Sequence, residues 1–376
     1  MRIAIDALPL LGQAGGRSYL YFLLKYLCRI DSRHDYRLIF RQPFPGATAG
    51  VFDGEPGVTR RVLPVPNRIL EGLWSWRSVR VPFTEALLGS PDLFFATIYF
   101  SPVLRKCRLI SVVYDLTTLL IPEYAKHIEE FSTRMANTIR RSSRLLAISE
   151  FVKGDLCRLG GVDPEIVDVI PLGVDTELFN ANAGREDSRG VRARLDLTCP
   201  YILYVGNLSP HKNLARLIRA FARLKREHSL PHKLVLCGKT KWGAGLKELV
   251  AELGAGESVV FPGYVPDLDL PFLYGGAEIF AYPSLSEGFG LPLVEAMASG
   301  IPVLASNSTS LPEVCGNAAV LVDPLSDTEI YNGLEKLALS STLRTKLSAE
   351  GLKRAALFTW DKTAELTLKA FERAVL

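Results

Sequence analysis

What most constrains the fold of this chain is an alternation. Short apolar or β-branched runs of strand length take turns with longer stretches whose apolar residues recur at helical spacing. "RIAIDAL" precedes the helical "GRSYLYFLLKYLCRI"; then come "YRLIF", "DLFFA", "RLISVVYD", a helix near 127–143 and "RLLAIS". Runs that are apolar throughout suit strands buried on both faces, and helical crossovers between strands make the pairing parallel. The chain therefore reads as α/β, with helices on both sides of parallel sheets.

The rhythm pauses over the polar segment "VIPLGVDTELFNANAGREDSRGVRARLDLTC". It resumes with "YILYVGNL", the helix "NLARLIRAFARLKREH", "KLVLCG", a helix near 243–253, "VVFPG", "EIFAYPS", a further helix, "IPVLAS" and "AAVLVD". A chain of 376 residues exceeds what one core usually serves. Two doubly wound, Rossmann-like halves result, residues 1–178 and 179–356. Residues 357–376 form a terminal helix, after a Thr359 cap, that must dock to be ordered.

Composition excludes several classes. A net charge of +4 lacks the strong basic balance of a dedicated nucleic-acid binder. The six cysteines form no CxxC and no zinc spacing, and with five histidines and no HxxxH no metal-ligand cluster is expected. They read as small buried residues in a reducing compartment. "MRIAIDALPLLGQAGG" is interrupted by Asp6 and lacks a cleavage site, and no apolar run reaches about 18 residues. A cytoplasmic protein, able to touch the inner face of the membrane, is expected.

The stretch "SEGFGLPLVEAMASG" (286–300) concentrates the chemistry. Gly288 and Gly290 allow a tight turn, Pro292 suits a first helical position and Gly300 the position past the end, so a helix is predicted over about 291–299. The amides of Phe289, Gly290 and Leu291 would then point, with the helix dipole behind them, at the carboxyl edge of the sheet, an anion site. Glu287 in the turn and Glu295 inside the helix offer carboxylates for vicinal hydroxyls. The bland alternative is a surface turn with one solvated glutamate and one supporting the helix start. Lys212, between a strand and a helix in "GNLSPHKN", either reaches that edge or is a surface lysine. Gly15 and Gly16 either approach a ligand or lead plainly into a helix; they are not GxGxxG.

"YPSLSEGFGLPLVEAMASGIPVLAS" with "LPEVCGNAAVLVDP" resembles the donor-site signature of retaining GT-B glycosyltransferases, the E-x7-E enzymes that build bacterial lipopolysaccharide, O-antigen and exopolysaccharide. "YVGNLSPHKNLARLIRAF" is similar to that family's phosphate-binding strand, loop and helix, and "VIPLGVDTELF" to its interdomain segment. The likeness is dense over 170–376 and thinner before. It implies two Rossmann-like domains facing a central cleft, with a final helix crossing back to the first. It further implies that Glu287 contacts the transferred sugar, Glu295 the ribose and Lys212 the diphosphate, near Gly206. Where relatives carry an arginine, Asn207 stands here, with His211 close by as a partial substitute. Gly15 and Gly16 match the first glycine loop. Tyr114, where many relatives have histidine, and Asp115 line the active site with no proton transfer assigned.

By the same resemblance no metal is needed and the only co-substrate is a nucleotide sugar, GDP-mannose being preferred. The acceptor is a glycan or a lipid-linked glycan. Arginines and tryptophans interleave over 60–80 (Arg60, Arg61, Arg68, Trp74, Trp76, Arg77, Arg80), which suits either membrane contact or a packed helix with solvated arginines. A nucleotide-sugar epimerase and a catalytically silent homologue are the competing functions.

Overall fold

The computed structural model describes residues 1–12, 15–40, 52, 54–65, 84–98, 101–116, 128–182, 188–239 and 244–376. They form two compact units: Met1–Leu172 with Trp360–Leu376, and Gly173–Thr359.

The first unit holds a seven-stranded sheet, β1 Arg2–Asp6, β2 Asp35–Phe40, β3 Val58–Val62, β4 Leu93–Ala96, β5 Arg108–Val113, β6 Arg144–Ala147 and β7 Val167–Val169. Its order is β3-β2-β1-β4-β5-β6-β7 and every pairing is parallel. The central β4, Leu-Phe-Phe-Ala, is buried at all four positions. The predicted strands are present, and two more, β3 and β7, complete the edges. The terminal helix Trp360–Val375 packs against the helix Gly15–Ile30 and against β4, β5 and β6. Trp360 stacks on Phe22 with ring centroids 5.5 Å apart, Phe371 meets Phe95 at 5.2 Å, and Arg33 bonds Glu372 at 2.7 Å.

The second unit holds β8 Tyr201–Val205, β9 Lys233–Cys237, β10 Val259–Gly263, β11 Ile279–Tyr282, β12 Val303–Ser306 and β13 Ala319–Val322, in the order β10-β9-β8-β11-β12-β13, again all parallel. The boundary falls at 172/173, six residues before the position expected from sequence, and at 359/360 rather than 356/357. The reason is local. Val174 donates its amide to Phe358 O at 3.0 Å, Asp175 bonds the amides of Glu177 and Leu178, and Phe179 meets the Tyr274 ring edge-on, all within the second unit.

The six cysteines are free, and Cys107, Cys237 and Cys315 are buried. Among the described residues no helix is long and apolar enough to cross a membrane. Of the arginine–tryptophan stretch at 60–80, only residues through Val65 are described; Arg60 and Arg61 are exposed on the edge strand β3, and the rest lies outside the described residues.

Candidate donor site

Neighbouring strands β8 and β11 are the point where the second sheet reverses its order, so the connections after them diverge to opposite faces. Open α/β sheets take ligands in the crevice such a divergence leaves. The loop after β8 carries Gly206, Asn207 and Lys212. The loop after β11 carries Glu287, Gly288, Phe289 and Gly290, and leads into the helix Leu291–Ala298. Residues about 75 positions apart in sequence therefore meet.

They meet closely. Lys212 donates to Glu287 Oε1 at 2.6 Å and to the Tyr282 hydroxyl at 3.4 Å, and its side chain and that of Glu287 are only 12% and 11% exposed. Burial by itself would raise the Glu287 carboxyl, but the Lys212 ammonium, through its charge and its hydrogen bond, carries it below the usual glutamate value. The turn around Glu287 is held from three sides. Leu285 donates its amide to His211 O at 2.7 Å, the Glu287 amide donates to Thr309 Oγ1 at 3.2 Å, and Ser310 Oγ donates to Glu287 O at 2.9 Å. Buried Asn213, at φ +61°, ties its own loop through Nδ2 to Pro283 O after β11 (3.0 Å) and to Pro324 O after β13 (2.6 Å).

Glycine is demanded at particular places. Gly206 (φ +150°) and Gly238 (φ +152°) end adjacent strands, and a Cβ on Gly238 would lie 1.8 Å from Gly206 O. Gly290 sits at φ +88° as N-cap of the helix, where a Cβ would come 2.7 Å from Leu311 Cδ2. Gly300 (φ +71°) follows the helix, as its position predicts. At the helix start no acceptor among the described residues takes the amides of Phe289, Gly290 or Leu291. The Phe289 ring itself turns inward, 3% exposed, edge-on to Phe358.

Beneath these loops lies a buried aromatic row that sequence reasoning missed. Tyr204 stacks on Tyr282, Tyr282 on Phe280, and Phe280 leans on Tyr274, with centroids 5.5–5.8 Å apart. Each hydroxyl serves the site: Tyr204 donates to Asn207 O at 2.9 Å, Tyr282 accepts from Lys212, and Tyr274 donates to Glu295 Oε2 at 2.9 Å. The available signal was a tyrosine in each of three otherwise apolar segments, since a buried tyrosine hydroxyl needs a partner. Burial pushes the Glu295 carboxyl up to about 7, despite the Tyr274 bond.

His211 does not make up the charge missing at Asn207. Burial and the Lys212 cation depress its imidazole to about 4, so it is neutral at physiological pH. The Asn207 side chain is exposed. Among the described residues no three His, Cys, Asp or Glu side chains gather as a metal site would.

In the first unit, the remaining candidates sit at the carboxyl edge of its sheet. Gly15 and Gly16 open the helix Gly15–Ile30, and a Cβ on Gly16 would only touch Pro9 Cβ at 3.8 Å, so its backbone does not require glycine. Tyr114 and Asp115 follow β5, and the Tyr114 ring meets Tyr19 edge-on at 5.4 Å.

The sequence matches the family model for group 1 glycosyl transferases over residues 191–354 and that for glycosyltransferase family 4 over residues 14–178. It is 30% identical over 269 residues to O-antigen chain mannosyltransferase B of Escherichia coli, covering 70% of each chain. It is 36% identical over 240 residues to the MMP alpha-(1->4)-mannosyltransferase of Mycolicibacterium hassiacum, covering 63% of this chain and 55% of that one. The crystal structure of Anabaena Alr3699/HepE in complex with UDP-glucose has the same fold, with a TM-score of 0.75 at 19% identity over 99% of both chains. Two parallel sheets, each with its reversal point, and these matches lead to one conclusion: the chain belongs to the group 1 glycosyltransferases, has the GT-B fold, and is a glycosyltransferase.

Proposed function

We propose that this enzyme is a retaining hexosyltransferase that moves mannose, or a similar hexose, from a nucleoside-diphosphate sugar to a glycan or lipid-linked acceptor in bacterial surface-polysaccharide synthesis. The observation that carries the reading is the Lys212–Glu287 pair at 2.6 Å beside three unclaimed amides at a helix start. Those amides and the lysine suit a diphosphate. The second oxygen of Glu287 suits the sugar hydroxyls, and Glu295 the ribose. The two mannosyltransferases to which the chain is similar favour mannose, hence GDP-mannose.

In this scheme the acceptor hydroxyl attacks the anomeric carbon on the face the diphosphate leaves. The departing phosphate oxygen takes the hydroxyl's proton while Lys212 and the helix dipole hold the developing charge. The compensating positive charge comes from the protein, so no divalent ion is invoked. Tyr114 and Asp115 line the acceptor side and transfer no proton. Work on a lipid-linked acceptor would bring the protein to the inner face of the cytoplasmic membrane.

The test is transfer from GDP-mannose, UDP-glucose and UDP-N-acetylglucosamine to a lipid-linked glycan, with and without EDTA, and the product anomer read by NMR. Transfer from GDP-mannose with an α-linked product, unchanged by EDTA, is expected. An inverted linkage refutes retention, and binding of donors with no transfer to any acceptor favours the silent homologue.

A further inference from the structure

Tyr274 is fully buried in the helix Leu270–Gly275, and its hydroxyl reaches Glu295 Oε2 at 2.9 Å, with a weaker 3.4 Å contact to Pro292 O. Its ring is clamped, edge-on to Phe179 at 5.6 Å and tilted against Phe280 at 5.5 Å. Among the described residues no other protein donor bonds the Glu295 carboxylate. The ionisable groups that act on it are Asp267 from the segment ahead of that helix, Tyr274 from the helix itself and Tyr282 from β11. None is a cation. The glutamate therefore has one oxygen tied to a fixed ring, and its remaining lone pairs are open to a ligand.

An untethered glutamate on a helix surface samples several rotamers, and two hydroxyls at fixed spacing select only one. Resting on the reading of Glu295 as the ribose ligand, we propose that Tyr274 is a positioning residue that fixes the Glu295 carboxylate, so that the site takes ribonucleoside in preference to 2′-deoxyribonucleoside diphosphate donors. A pinned, half-buried carboxylate that meets a sugar lacking one hydroxyl keeps an unmet acceptor, and sites built to bond a hydroxyl reject the analogue without it.

The experiment is calorimetric titration of the full chain with GDP, UDP and their 2′-deoxy counterparts between pH 6 and 9. The proteins are wild type, Tyr274→Phe, Glu295→Gln and the double variant, each with a melting curve. Wild type should prefer the ribonucleotide by about tenfold or more. Tyr274→Phe should weaken ribonucleotide binding about tenfold, collapse that preference and move the pH midpoint of binding upward, since the carboxyl loses its donor. The double variant should bind no more weakly than Glu295→Gln.

If Tyr274→Phe keeps the wild-type preference while Glu295→Gln loses it, Tyr274 does not position the glutamate. An additive loss in the double variant overturns the proposal too, and that protein strands no buried carboxylate even if the single variant folds poorly. Unchanged binding by Glu295→Gln would instead remove the ribose assignment. Failure of wild type to bind either nucleotide would remove the donor site.

Discussion

Replacing Lys212 with alanine strands a carboxylate that is 11% exposed and fixed in its turn by Thr309 and Ser310. At the observed 2.6 Å and an effective dielectric of about 20, the attraction between unit charges is about 6 kcal/mol. Desolvation offsets much of this, yet removing one partner of a buried pair costs about 3–5 kcal/mol because the other charge stays behind. Since a tenth of each side chain meets solvent, the lower end, about 3 kcal/mol, is expected. A unit of the size of Gly173–Thr359 loses about 2–4 °C per kcal/mol, so its melting should fall by about 6–12 °C. Adding Glu287→Gln removes the stranded charge, and the double variant should recover more than half of the loss. The assay is thermal unfolding without donor, followed over pH. Because the folded Glu287 carboxyl lies below its unfolded value, the stability it brings is present above about pH 4.3 and lost as pH falls through the folded value. Lys212→Ala should abolish that acid-side loss. Equal melting of wild type, single and double variants would refute the coupling and, with it, the picture of a lysine and a glutamate that neutralise each other in the site.

Three further outcomes are expected. The Glu295 carboxyl is held at about 7, above its usual value, so folding binds its proton more tightly, and stability declines as pH rises from about 4.3 to 7; Glu295→Gln should melt above wild type at pH 8 and level with it near pH 4.5. Gly238→Ala forces a methyl to within 1.8 Å of Gly206 O at φ +152°, and calorimetry should show a loss of about 2–4 kcal/mol with impaired GDP binding. Asn207→Arg returns a cation to a site where His211 is neutral. It should tighten GDP binding by about 1 kcal/mol at low ionic strength, and the gain should shrink as salt screens the exposed charge; a gain that persists at high salt would point to a different cause.

Much of this architecture was legible from residues alone, because strands buried on both faces declare themselves as unbroken apolar runs. β4 and β11 are buried throughout and were read correctly. The two missed strands are those for which the signal fails. β3, Val-Thr-Arg-Arg-Val, is an edge strand with no fully buried residue, and β7 has three residues with an aspartate at its centre. In the site, Glu287, Lys212 and the helix start stood out by their spacing around glycines. Tyr274 did not, since it lies 21 positions before Glu295 on another helix and only the folded chain brings its hydroxyl there. Asn213 was visible as a letter in a loop, but its two carbonyl partners belong to segments 70 and 111 residues on. His211 shows the same limit from the electrostatic side, since its neutrality depends on burial and on the neighbouring ammonium.

The placement of the helix Trp360–Val375 against the first sheet bears on how the protein is made. Gly173–Thr359 is contiguous and can collapse as soon as it clears the ribosome, whereas the first unit waits for residues such as Glu372, which lies 339 positions beyond its partner Arg33. Until Trp360 and Phe371 arrive, the faces of Phe22 and Phe95 they cover stay bare. The half synthesised first is thus the last to be finished, and a nascent chain cut short of residue 360 would carry a complete second unit beside an unfinished first one with apolar surface still bare.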